Sequence, residues 1–140
     1  MVVRGGSASF EITLREVGPT GTPGEGDPGV AVAFAGAAFA GRNDAVWIGR
    51  HEWAGFLEDL GVLERTRRGE AHVTAMSPEE FRLALFASDR AGHLAAEGRV
   101  AREYAGRHGA LRDRASFSFA LDPATLPTLV RQFGAFAPAG

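Results

Sequence analysis

Ala115-Ser116-Phe117-Ser118-Phe119-Ala120-Leu121-Asp122-Pro123 joins two kinds of periodicity in one short stretch. Ala115, Phe117, Phe119 and Leu121 share one parity and Ser116 and Ser118 the other, the period-2 mark of a strand with one buried face. Asp122 then offers a side-chain acceptor to the free amides of a helix start. Pro123 fits the first helical position, where its missing N–H costs little. Leu126, Leu129, Val130, Phe133 and Phe136 continue at helical spacing, with Pro127 early enough to be tolerated. A one-sided strand running straight into an amphipathic helix points to an α+β domain.

The same grammar repeats upstream. Trp53, Phe56, Leu57 and Leu60 stand at i, i+3, i+4 and i+7, which predicts a first helix. Gly61 is expected to end it in a left-handed cap, with Leu63 docking just beyond. Residues 64–69 read as a charged loop containing Arg65, Arg67 and Arg68. Three strand-like runs precede the quoted one: Ala71, Val73 and Ala75; Phe81, Leu83 and Leu85; and Leu94, Ala96, Gly98, Val100 and Tyr104. Ser77-Pro78-Glu79-Glu80 and Asp89-Arg90-Ala91-Gly92 supply turns between them, and residues 107–114 read as a basic loop.

Before the first helix, Ser9-Phe10-Glu11-Ile12-Thr13-Leu14-Arg15 alternates as a half-buried strand. Val30, Val32 and Phe34 form a second run, residues 45–48 a short third. Gly36 suggests a bulge, because Phe39 falls on the opposite parity to Phe34. Gly41-Arg42-Asn43-Asp44 reads as a turn. Residues 18–29, rich in Gly and Pro, predict a flexible hairpin loop; no Gly-Lys-Ser/Thr closes a phosphate cradle. The expectation is one domain over residues 1–140. It comprises an antiparallel sheet of about six to seven strands with two helices packed on one face, in the order three strands, helix, four strands, helix.

Composition removes whole classes of chemistry. All 15 basic residues of the 140 are Arg, and neither Lys nor Cys occurs. Disulfides, zinc–thiolate sites, thiol nucleophiles, Schiff-base lysines and P-loop lysines are therefore excluded. The formal net charge of −2 lacks the basic excess of a nucleic-acid-binding domain. The sequence has no run of about 18 apolar residues, and its start, Met1-Val2-Val3-Arg4-Gly5-Gly6, is no apolar leader. A cytoplasmic protein with no membrane contact is expected.

Candidate catalytic or metal groups are sparse. His51-Glu52-Trp53-Ala54-Gly55 opens like a zinc-protease helix, but Gly55 stands where the second His is needed. His72 and His93 fall on predicted strands and could meet. Ser7, in Gly5-Gly6-Ser7-Ala8-Ser9, lacks the closing Gly of a nucleophile elbow and reads as part of a frayed terminus. No inward carboxylate pair suggests a glycosidase. Glu97, Arg99, Arg102 and Glu103 read as surface ion pairs. The arginine loops (Arg65, Arg67, Arg68; Arg107, Arg112, Arg114) carry little weight in a chain that never uses Lys. No catalytic residue, cofactor or metal ligand is expected.

The surface that stands out is the sheet face turned away from the helices. By parity it carries Ala31, Ala33, Ala35, Thr74, Met76, Ala84, Phe86, Ala95, Ala101, Ser116 and Ser118, interleaved with Glu11, Arg82, Glu97 and Arg99. Trp47, out of phase with Val46 and Ile48, either joins Phe86 there or belongs to the core. Small residues lose little entropy on docking, and Trp, Phe and Arg are frequent interface anchors. The candidate partner face is therefore Trp47, Thr74, Met76, Arg82, Phe86 and Arg99, for a protein partner or a second copy of the chain. A small-molecule or catalytic site between helices and sheet, and a self-associating structural subunit, are the competing readings.

The opening alternating strand, Trp53-x-x-Phe56-Leu57-x-x-Leu60, Phe81-x-Leu83-x-Leu85, Gly98-x-Val100, and Phe117-x-Phe119-x-Leu121-Asp122 leading into Leu126-x-x-Leu129-Val130-x-x-Phe133 resemble small bacterial proteins of the WapI-like immunity group. The resemblance spans roughly residues 8–136 and consists of hydrophobic spacing. It implies a protein that neutralises a toxin by binding it, without catalysis or cofactor. No functional residue carries over, because the matching positions read as core.

Overall fold

The computed structural model describes residues 2–135. Its elements are β1 (Val2–Gly5), β2 (Ala8–Val17), β3 (Pro28–Ala35), β4 (Ala40–Trp47), α1 (Arg50–Thr66), β5 (Glu70–Thr74), β6 (Phe81–Ala87), β7 (Leu94–Gly106), β8 (Gly109–Leu121), a 3-10 turn (Pro123–Thr125) and α2 (Leu126–Ala135). Phe136, placed by spacing on the last helix, lies outside the described residues.

The strands form two four-stranded antiparallel sheets, β1-β2-β3-β4 (sheet A) and β5-β6-β7-β8 (sheet B), each in chain order. This corrects the expectation of one sheet covered by helices. Two helices cannot cover eight strands: the buried residues of α1 are Trp53, Phe56, Leu60 and Leu63, and those of α2 are Leu126, Leu129 and Phe133. The remaining inward side chains of each sheet are buried by the other sheet. Phe10 of sheet A stacks on Phe81 and Phe117 of sheet B at centroid distances of 5.6 and 5.4 Å, and Phe34 stacks on Phe117 at 4.3 Å. Each fully buried large side chain stabilises the fold by about 1.5–3 kcal/mol. Trp53, Phe56 and Phe133 form a second aromatic group continuous with this core.

Two polar links tie the sheets. The buried Asn43 Nδ2 donates to the Ala101 carbonyl at 2.7 Å, and the Met76 amide donates to the Trp47 carbonyl at 2.8 Å. Asn43 belongs to what read as a turn. It lies inside β4, where an irregularity opposite Val30–Val32 sets two residues of β4, Asp44 and Ala45, against one of β3, Ala31. Such a bulge gathers polar, turn-like residues within a strand. Gly36 instead closes the β3–β4 turn, its amide bonded to the Phe39 carbonyl. The supposedly frayed start is β1, with Val3 buried and a turn at Gly6-Ser7.

Helix α1 runs past Gly61, because Leu63 at the next turn is buried beside Leu60. That burial outweighs the roughly 1 kcal/mol cost of a helical glycine. The left-handed cap falls at Arg67, whose amide bonds to the Leu63 carbonyl and whose guanidinium donates to Pro123 O. Asp27, buried at the end of the Gly/Pro segment, accepts the Arg50 amide at 2.7 Å and so caps the start of α1. The segment carries further bonds of its own, including Gly18 N–H to Asp27 O and Gly26 N–H to Gly18 O, and Pro28 and Gly29 already belong to β3. Asp122 and Pro123 act as the sequence predicts, the Asp122 carboxylate accepting the Ala124 amide. Among the described residues no helix is long and apolar enough to cross a membrane.

Candidate functional site

Splitting the strands between two sheets also splits the expected single face. Ala31, Ala33 and Ala35 lie on the outside of sheet A, whereas Thr74, Arg82, Ala84, Phe86, Glu97, Arg99, Ser116 and Ser118 lie on the outside of sheet B. The small-residue surface is also less open than parity implies. Ala84 and Ala101 face outward yet are only 1 % and 2 % exposed. Ala84 sits between His72 and Glu97 in its row and between Arg82 and Phe86 along its strand, and these longer side chains shade it.

On sheet B the register places four candidate residues in order. Thr74 is opposite Arg82, Arg82 opposite Arg99, and Arg99 opposite Ser116. One row crossing all four strands therefore reads hydroxyl, guanidinium, guanidinium, hydroxyl. Like charges directly opposite each other on an antiparallel pair are destabilising. The two arginines respond by reaching apart: Arg82 Nη2 lies 3.8 Å from Glu70 Oε1, whereas Arg99 Nη2 donates to Pro78 O at 3.2 Å. Arg99 forms no ion pair among the described residues, and its Nε is removed from solvent without a hydrogen-bond acceptor. Between the arginines lies a shallow depression of about 310 Å³ lined by Arg82, Glu97, Gly98, Arg99, Ser116 and Phe117. Gly98 is required there, because a Cβ would fall 2.4 Å from Arg82 O and 2.7 Å from the Phe117 ring.

The other candidates extend this surface. Phe86 is half-buried on the strand of Arg82, two outward positions away. Met76, two residues beyond β5, is 53 % exposed, its amide bonded to Trp47 O. Trp47 itself is half-buried on the outside of sheet A, its ring over Gly29, where an added Cβ would approach within 3.1 Å. Thus Thr74, Arg82, Phe86 and Arg99 share one sheet face, Met76 borders it, and Trp47 joins it only through the backbone.

Glu52, His72 and His93 are each engaged by a neighbour in the fold. Glu52, from the zinc-protease-like pentad, accepts the Thr74 amide and so covers the outer edge of β5, while Trp53 is core. His72 and His93 do not pair: His72 lies 3.9 Å from Glu70, and His93, in a turn rather than on a strand, bonds to Asp89. That bond, with the backbone amides of His93 and Ala91, holds the Asp89 carboxyl below its ordinary value of 3.8. Among the described residues no group of three or more His, Asp or Glu could hold a metal ion.

The two basic loops are corrected as well. Arg65 belongs to α1, and residues 107–114 form the tip and return strand of a hairpin that pairs as far as Gly106 and Gly109. Arg112 bonds Glu103 at 2.9 Å, and Arg114 bonds Glu79 at 3.1 Å. Beyond Ala101 this hairpin outruns β6, and Tyr104 and Leu111, opposite each other, are 45 % and 50 % exposed. Sequence reasoning missed this projection, although Gly106-Arg107-His108-Gly109 carries a turn signal. Searches of protein-family models, curated proteins and solved structures found no match to this chain.

Proposed function

We propose that this chain is a non-enzymatic protein-binding domain that docks its partner on the outer face of sheet B. The observation that carries this reading is the row Thr74–Arg82–Arg99–Ser116 with Phe86 on the same face. Two guanidinium groups with spare hydrogen-bonding capacity, a half-buried aromatic ring and flanking hydroxyls make the polar and apolar mixture that anchors protein interfaces. The competing reading, an enzyme or small-molecule binder with a site between helices and sheet, finds less support, because Trp53, Phe56 and Phe133 pack together where the helices meet the core. The partner class is a toxin neutralised by occlusion, as the resemblance to WapI-like immunity proteins implies.

The test is capture of partners from the native cell by wild type and by Phe86→Ser and Arg99→Gln variants, identified by mass spectrometry. A partner retained by wild type and lost on Phe86→Ser supports the reading; partners that bind both equally overturn it. A second reading, self-association, is favoured by the exposed Tyr104–Leu111 pair on the projecting hairpin. Sedimentation showing a dimer that Tyr104→Ser dissociates would establish it, and a monomer at high concentration would remove it.

A further inference from the structure

We infer that the depression between Arg82 and Arg99 is a carboxylate-binding notch, which receives an Asp or Glu side chain of the partner. This rests on the proposed binding face and names the chemistry that face recognises. Arg82 and Arg99 are cross-strand neighbours that line one depression of about 310 Å³. Arg82 has Glu70 no nearer than 3.8 Å, and Arg99 has no ion pair among the described residues. Arg99 gives one Nη2 donor to Pro78 O and meets no carboxylate among the described residues, so its guanidinium head keeps donors to offer. An oxyanion seated between the guanidinium groups would relieve their mutual repulsion and accept from them, with the Ser116 hydroxyl lining the same depression.

Glu97 lowers the net positive charge of the notch. It lines the depression and forms no ion pair of its own among the described residues. A singly charged, planar carboxylate matches two guanidinium forks and meets limited repulsion from one glutamate. A phosphate dianion would double the attraction to both arginines as well as the repulsion from Glu97, so net charge does not separate the two. The notch is assigned to a carboxylate because the occupant of a protein-binding face is a partner side chain, and Asp and Glu carry planar carboxylates that match the guanidinium forks.

The arginine side-chain Nε–H signals report directly on the site. Capped tetraglutamate peptide and inorganic phosphate are titrated separately into the full chain at matched ionic strength. The expected result is saturable movement of the Arg99 and Arg82 Nε–H signals with peptide and a weaker response to phosphate. Arg99→Gln should weaken peptide binding about tenfold, Glu97→Gln should tighten it, and Arg15→Gln should change nothing. Movement spread evenly over all arginines, or Arg99→Gln binding like wild type, overturns the notch, and tighter binding of phosphate overturns the carboxylate assignment. A captured partner that depends on Phe86 but not on Arg99 would leave the binding face standing and refute the notch. A notch that binds peptide, with no partner depending on Phe86, would do the reverse.

Discussion

Replacing Asn43 should cost more than any surface residue of β4, because this one side chain satisfies backbone groups on both sheets. Asn43 is 4 % exposed; its Nδ2 donates to Ala101 O at 2.7 Å and its Oδ1 accepts from the Ala45 amide at 3.0 Å. Asn43→Ala strands a carbonyl and an amide, each costing about 1–3 kcal/mol when left unsatisfied, so a loss of about 2–6 kcal/mol is expected. That is a large share of the roughly 5–15 kcal/mol typical of a domain.

Asn43→Asp sharpens the test. Its carboxylate keeps the acceptor for Ala45 but faces the Ala101 carbonyl without a proton to donate. Burial and this opposed oxygen raise the carboxyl pKa in the folded state, and the protonated form restores the O–H donor. A group whose folded pKa is raised contributes most below its unfolded value and loses that contribution as pH rises through the folded value. Relative to wild type at the same pH, the Asp variant should thus be closer to normal near about pH 4.5 than near about pH 7.5, while the Ala variant shifts little. Urea unfolding at both pH values measures this. An Ala variant within about 1 kcal/mol of wild type, or an Asp variant equally impaired at both pH values, would refute the claim that Asn43 ties the sheets.

Gly98→Ala should destabilise by about 1–3 kcal/mol in urea unfolding, because its Cβ would meet Arg82 O and the Phe117 ring, whereas Gly55→Ala, with nothing within 4 Å on an open face of α1, should stabilise by about 0.5–1 kcal/mol. Asp27→Ala should cost about 0.5–2 kcal/mol by uncapping the Arg50 amide, and amide exchange in the first turn of α1 should accelerate. Asp89 should titrate below 3.8 in a carbon-detected NMR series. Because its folded pKa is depressed, its contribution to the β6–β7 turn is present above the unfolded value and lost as pH falls through the folded one. A midpoint at or above 3.8 would contradict the His93 bond.

Much of the fold was legible because burial imposes period on sequence. Trp53, Phe56 and Leu60 mark α1, and the alternation from Phe117 to Leu121 marks the end of β8, without reference to tertiary structure. What that parity leaves open is the surface that buries an inward residue. Phe10 and Phe117 alternate in the same way whether a helix or a second sheet covers them, so the division into two sheets was not readable. The polar bulge around Asn43 imitates a turn for a similar reason: its role depends on Ala101, far away in sequence. Past Ala101, both faces of the β7–β8 hairpin meet solvent and polar residues occupy both parities, so only Tyr104 prolongs the strand signal of β7 and residues 109–114 of β8 read as loop. Outward parity placed Thr74, Arg82, Phe86 and Arg99 on one face, but it could not tell that Trp47 belongs to the other sheet. Its arrangement was not, since only the strand register sets Arg82 opposite Arg99.

A protein partner docked on the outside of sheet B would lie over Ser118 and away from Thr13. A photocrosslinking side chain placed at Ser118 on that face, and separately at Thr13 on the outside of sheet A, tests it in the native cell. Crosslinks to one partner from position 118 and none from position 13 are the predicted result. The same partner captured only from position 13, or capture from neither position while the partner still co-purifies, would contradict it.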